Sequence, residues 1–112
     1  MIHRLGIQSK YYGYIKNGTK RIELRLYDEK RQKIKIGDII EFHQDGGQEF
    51  QAKVLGLLRY GAFEHLLNDF DTSVLADATM TKQELLDVLG KFYTPEKQKE
   101  YGVIGFRIEP IK

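Results

Sequence analysis

The sequence predicts an α+β fold built on a curled, partly closed sheet, and three observations lead there. Segments with the two-residue period of a strand are joined by turns or by single helices, without regular strand-helix-strand alternation. One of them, residues 50–59, ends in Leu55, Leu57 and Leu58 and so offers apolar side chains on both faces, as a central strand covered on two sides does. The helical segments between strands each carry one apolar stripe, the pattern of helices packed against a sheet.

Taken in order, residues 2–7 alternate weakly and make a short strand. Ser9 caps a helix that reaches Lys16 and ends at Asn17-Gly18, with Tyr11, Tyr12 and Ile15 on its core face and Tyr14 off it. Residues 20–27 read as a second strand. Its period sends Ile22, Leu24 and Leu26 to the core and leaves Arg21, Glu23, Arg25 and Tyr27 on the other face. On that reading Glu23 and Arg25 line a concave surface, and truncating Arg25 costs little stability. Asp28 caps a helical turn through Gln32, and Gly37-Asp38 opens a strand over residues 39–43.

Gln44-Asp45-Gly46-Gly47 is a hairpin turn, since paired glycines tolerate positive φ. The return strand places Phe50, Ala52 and Val54 on one face. Residues 62–68 form a short helix burying Phe63, Leu66 and Leu67. Thr81-Lys82-Gln83-Glu84 has the form of a capping box, followed by Leu85, Val88, Leu89 and Phe92 on one stripe. Thr94-Pro95-Glu96 starts a last helical turn, and residues 103–108 close as a strand with Ile104, Phe106 and Ile108 on its core face.

A chain of 112 residues with 41% hydrophobic and 30% charged side chains fits one packed domain, residues 1–112, rather than two. It has no cysteine, which excludes disulfides, thiolate metal sites and cysteine nucleophiles. The opening Met1-Ile2-His3-Arg4-Leu5-Gly6 lacks the apolar run of a signal peptide, and no stretch is apolar enough to span a membrane. A cytoplasmic protein without a membrane partner is expected, and Asn17-Gly18-Thr19 then reads as a turn rather than a glycosylation acceptor. The net charge of +2 hides an asymmetry: residues 10–35 hold nine Lys or Arg against three acids, whereas residues 36–80 hold two against eight. A basic face beside an acidic one follows.

Several chemistries have no visible machinery. His3, His43 and His65 fall at no metal-binding spacing, so no metal is expected. Ser9 and Ser73 lack a nucleophile-elbow context, and neither a Gly-x-Gly-x-x-Gly nor a Walker loop occurs, so no cofactor is expected. What remains is the run from Gly18 to Asp28. Glu23 and Arg25 share a strand face, with Lys20 at the strand mouth, making a donor, acceptor, donor set. Arg25 can fork onto a phosphate or carbonyl, Glu23 can accept from a base amine, and Tyr27 offers a stacking face. Lys30 and Arg31 extend the basic group for RNA phosphates. Mutual neutralisation on a solvated strand face is the competing reading.

Gly18-x-Lys20-x-x-Glu23-x-Arg25, followed by Gly37-Asp38, resembles the signature of the ASCH domain, a PUA-like family. The opening helix and Tyr101-Gly102-Val103-Ile104-Gly105-Phe106 are similar as well. The resemblance implies a barrel-like PUA-like sheet with helices around a cleft, into which Lys20, Glu23 and Arg25 project, and a family thought to bind RNA or nucleotide-like ligands. Small bacterial members hydrolyse the acetyl amide of N4-acetylcytidine with a lysine, a threonine three residues later and a distant glutamate. Lys20 matches the lysine, whereas Glu23 stands at the threonine position and Asp77-Ala78-Thr79 where the glutamate is expected. Binding of RNA or a modified nucleoside is therefore the expected role. Its alternatives are amide hydrolysis of N4-acylated cytidines, with Lys20 and Glu23 as the catalytic pair, and a protein-binding adaptor.

Overall fold

A computed structural model describes residues 1–44 and 46–111 of the chain. Its strands are β1 (Ile2–Gly6), β2 (Ile22–Leu26), β3 (Ile39–His43), β4 (Glu49–Tyr60) and β5 (Val103–Pro110). Its helices are α1 (Ser9–Lys16), α2 (Phe63–Asp69), α3 (Thr72–Leu75), α4 (Lys82–Phe92) and α5 (Pro95–Tyr101), with a 3₁₀ turn at Arg31–Lys33. The strands form one mixed sheet in the order β1-β3-β4-β5-β2, parallel between β1 and β3 and antiparallel elsewhere. The sheet curls into a half barrel that brings its edge strands together, so that the Arg25 guanidinium on β2 donates to the Gly6 carbonyl on β1 at 2.6 Å. An α+β curled sheet with flanking helices is the class expected from the sequence.

The curl makes two cores. Inside it, Leu5, Ile40, Phe42, Ala52, Val54, Ile104, Phe106 and Ile108 pack around Ile15 of α1. Outside it, Ile22, Leu24, Leu26 and Val103 pack under Phe63, Leu66, Leu75, Leu85 and Leu89 from α2, α3 and α4. β4 pairs with β3 and β5, as its two apolar faces require, and Leu57 joins the inner core while Leu58 joins the outer one. A register shift between Val54 and Gly56 turns Leu55 outward, where it is exposed.

Local chemistry accounts for most boundaries. The capping box is complete, with the Glu84 N–H donating to Thr81 Oγ1 at 3.1 Å and the Thr81 N–H to Glu84 Oε1 at 3.0 Å. At the β3–β4 turn Gly46 and Gly47 both have positive φ, and the Gln44 N–H donates to the Gln48 carbonyl at 3.0 Å, while Asp45 lies outside the described residues. Two expectations shift, and one element had no sequence signal. Gln8, not Ser9, is the N-cap of α1, and it makes no side-chain cap bond. β2 is shorter than residues 20–27, leaving Lys20, Arg21 and Tyr27 outside the ladder. The four-residue α3, capped by Asp71 accepting from the Ser73 N–H at 2.9 Å, is too short for periodicity to reveal.

Two substitutions test this packing. Phe106 is fully buried, so Phe106→Ala should lower unfolding free energy by about 3–5 kcal/mol. A Cβ on Gly105 would sit 2.8 Å from Ile22 Cγ2, where β5 passes β2, so Gly105→Ala should cost about 1–3 kcal/mol through overpacking. Urea denaturation measures both, and a wild-type midpoint for Gly105→Ala contradicts the packing described.

Candidate binding cleft

The gap between β1 and β2 is a cleft of about 170 Å³. The Gly6–Gln8 turn and Tyr11 form one wall, Lys20, Glu23 and Arg25 the floor, and Leu85, Val88, Leu89, Phe92 and Tyr93 of the α4 region the other wall. The turn after α1 positions the floor. Gly18, at φ 85°, sends its N–H to the Ile15 carbonyl, and the Lys20 N–H returns to the Tyr14 carbonyl. Lys20 therefore enters from the helix end rather than from the strand, and its side chain turns inward.

There it is only 4% exposed, and Glu23 only 5%. Nζ of Lys20 donates to the Ile22 carbonyl at 2.6 Å and to the Leu75 carbonyl, and lies 3.4 Å from Glu23 Oε1. Oε1 of Glu23 accepts from the Leu24 N–H at 3.2 Å, and Oε2 accepts from Arg25 at 2.8 Å and 3.2 Å. The period-two expectation holds: Ile22, Leu24 and Leu26 are buried while Glu23 and Arg25 face away from them and line the concave cleft. The curl of the sheet covers that second face as well, so the carboxylate is buried rather than solvated.

Burial is the largest single influence on each of these groups, but it decides the direction of the shift only at Lys20 among the three floor residues. It holds the Lys20 pKa below its usual value, against the opposing pull of Glu23. Burial alone would raise the Glu23 carboxyl, but Arg25 and Lys20 together outweigh it, and the net shift is downward. At Arg25 burial is likewise overcome, mainly by Glu23, and the guanidinium is held more firmly charged. Burial also raises the Tyr93 hydroxyl, which stands within the field of Arg25, Glu23, Arg31 and Asp28.

The other residues singled out from sequence lie elsewhere or on the rim. Tyr27 does not line the cleft, and the Arg59 guanidinium sits 4.2 Å from its ring centroid, covering the face it could offer a base. Arg31 pairs with Asp28 at 2.8 Å near Tyr93, and Lys30 beside it is exposed. Asp77 is buried outside the cleft lining, where its Oδ1 accepts from the Thr79 N–H at 2.7 Å and from the Thr79 hydroxyl, which folds its own loop. Sequence reasoning missed Phe92: assigned to a core stripe, it is 59% exposed at the cleft mouth. Its place at the last residue of α4, a turn beyond the buried Leu89, is the signal that could have found it.

Two further features stand apart. A groove of about 600 Å³ on the other side of Lys20 is lined by Lys16, Arg21, Phe50, Ile108 and Pro110. It is larger than the cleft but holds no comparable buried ion-pair network. Glu41, His43 and Glu49 on the β3–β4 hairpin bring one potential metal ligand each within 4.8 Å of one another. Arg4, however, donates to His43 Nε2 at 2.8 Å, so the imidazole lone pair is already engaged.

Removing Glu23 leaves two buried cations without a counter-charge, so Glu23→Ala should cost about 3–5 kcal/mol. Arg25→Ala leaves the Lys20–Glu23 pair intact but removes the bonds to Glu23 Oε2 and the Gly6 carbonyl, and should cost about 1–3 kcal/mol. The value for Arg25 replaces the small cost expected from the strand pattern. The pH signs follow from the shifts. Glu23 stabilises fully above about 4.5 and loses its contribution as pH falls through its lower folded value. Lys20, lowered from 10.5, is more readily protonated in the unfolded chain, so stability should rise as pH climbs from its folded value towards 10.5. Chemical denaturation across pH should show the acid-side loss flattened in Glu23→Gln and the alkaline rise flattened in Lys20→Met.

Comparisons with known proteins bear on the family and the fold. The family model of the ASCH domain matches residues 5–112. The crystal structure of the hypothetical protein PH0355 superposes with a TM-score of 0.90 at 40% identity, covering 99% of this chain and 100% of that one. The solution structure of PF0455 from Pyrococcus furiosus gives 0.82 at 36% identity, covering 100% and 99%. A variant of ZmASCH from Zymomonas mobilis gives 0.68 at 11% identity, covering 99% of this chain and 71% of that one, a likeness of fold alone. No curated protein matches. The chain belongs to the ASCH domain family, whose members are generally thought to bind RNA.

Proposed function

We propose that the chain binds RNA or a modified nucleoside in the cleft between β1 and β2. The observation that carries this reading is an exposed aromatic, Phe92, at the mouth of an otherwise apolar cleft with a charged floor. Every base has a π-face, and a solvent-exposed ring beside a pocket is the platform on which one stacks. Arg25 supplies hydrogen-bond donors at the floor, and Lys20 and Glu23 hold it in place. The exposed Lys30 and the rim residue Arg31 meet phosphates of a longer strand.

The same geometry favours binding over amide hydrolysis. Each proton of the Lys20 ammonium is directed at a protein oxygen, at Ile22, Leu75 or Glu23, and Glu23 is held ionised by its two cations. Asp77, the nearest counterpart to the distant glutamate of the hydrolysing members, turns Oδ1 into its own loop and does not line the cleft.

Titration with hexauridylate and with free nucleosides at two salt concentrations tests the proposal. RNA affinity should fall with salt by a slope of roughly −0.7 per phosphate contact, and Lys30→Glu with Arg31→Glu should flatten it. Phe92→Ala should weaken binding by about 1–3 kcal/mol without affecting the fold. An absence of binding to every RNA and nucleoside sinks the reading in favour of an adaptor. Turnover of N4-acylated cytidines that disappears in Lys20→Ala and Glu23→Ala replaces it with the hydrolase.

A further inference from the structure

The hydrogen-bonding capacity left over in the cleft specifies the ligand more closely, on the binding reading above. Both oxygens of Glu23 are engaged, Oε1 by the Leu24 N–H and Lys20, and Oε2 twice by Arg25. The floor therefore offers a ligand no acceptor. Lys20 has no proton to spare either. At Arg25, Nε and Nη2 are bound to Glu23 and Gly6, while Nη1 has no close hydrogen bond among the described residues and shares the cleft with the Tyr93 hydroxyl, which lies near enough to the guanidinium to help hold it charged. Nη1 is also not among the buried polar atoms left without a partner, which are Arg31 Nε and Asp77 Oδ2, so it reaches the open space of the cleft.

The charges point the same way. Lys20 and Arg25 are two cations facing one carboxylate, and the nearby Asp28–Arg31 pair is neutral. One positive charge is left without a counter-charge in a lining that is mostly apolar apart from Gln8 and the hydroxyls of Tyr11 and Tyr93, where the interaction with an anion is stronger than in open water. Size narrows the choice again. At about 170 Å³ the cleft is smaller than the 300–1,000 Å³ typical of sites that enclose a whole ligand. An anionic end group fits inside, and a base then falls at the mouth, beside Phe92.

We infer that the cleft recognises a terminal phosphate monoester, with the phosphate on Arg25 Nη1 at the floor and the adjoining base against Phe92. Planar, forked donors make arginine suited to phosphate oxygens. The phosphate belongs either to a free nucleoside monophosphate or to the end of an RNA strand, and both present the same chemistry.

The test compares hexauridylate carrying a 5′-phosphate, a 3′-phosphate or hydroxyls at both ends, together with uridine and its 5′-monophosphate. Binding is measured by calorimetry at high ionic strength, where surface charges are screened and a buried pair is not. One phosphate-ended form should bind roughly tenfold or more tightly than its hydroxyl-ended counterpart, the size of a charge-assisted hydrogen bond. A monophosphate that matches the phosphorylated RNA identifies the nucleotide as the ligand, and a tighter RNA identifies the strand end. Equal affinities with and without phosphate overturn the inference and leave nucleoside or RNA binding standing, whereas no binding at all removes both.

Two variants locate the contact. Arg25→Lys keeps a charge but loses the fork, and its preference for phosphate should shrink. Phe92→Ala, at an exposed position, should weaken phosphorylated and unphosphorylated ligands alike and preserve their ratio. The reverse pattern, with circular dichroism showing both variants folded, removes the phosphate from Arg25.

Discussion

An edge strand leaves alternate N–H and C=O groups without a ladder partner, and in a curled sheet that stops short of closure two such edges confront each other. Here the deficit is met by side chains. Lys20 takes the Ile22 carbonyl, Glu23 takes the Leu24 N–H, and Arg25 reaches across to the Gly6 carbonyl on the opposite edge. The Lys20–Glu23–Arg25 network thus stands where another strand would lie, and it floors the cleft between the two edges. Because all three groups are charged and shielded from water, they are stable only as a set, each offsetting the desolvation of its neighbours.

The polarity of the cleft is a by-product of that closure. Satisfying the strand edges consumes every acceptor of Glu23 and every proton of Lys20, and leaves one face of a guanidinium turned to the gap. Under the proposed function, fold and ligand recognition meet in the same side chains, while the apolar platform at Phe92 serves recognition without serving the fold. That separation arises because α4 extends past the layer it packs on: Leu85 and Leu89 are buried, and Phe92 one turn later is not.

Much of this was legible in the sequence. The alternation of Ile22, Leu24 and Leu26, the capping box at Thr81, the paired glycines of the hairpin and the two-faced β4 all report local physics. The Gly18-to-Arg25 spacing was also sufficient to indicate the family. The depth of burial was not legible: a period of two separates Glu23 from Leu24 but carries no information on how completely the second face is covered. Partners brought from afar were equally invisible, as with the Leu75 carbonyl on Lys20 and the Arg59 guanidinium over Tyr27. The helix stripe fixed which way Phe92 points along α4 and could not say where the neighbouring layer ends.

The strand order carries a consequence for how the chain reaches this state. β5 follows every other described element in sequence yet lies inside the sheet, between β4 and β2. β2, at residues 22–26, has no ladder partner until residues 103–110 arrive. During synthesis the charged floor must therefore wait, with Glu23 and Arg25 hydrated and the β2 edge unpaired, until nearly the whole described chain has left the ribosome. Such long-range pairing slows folding, because loop closure precedes the contacts that reward it. The cleft is among the last parts of the molecule to form.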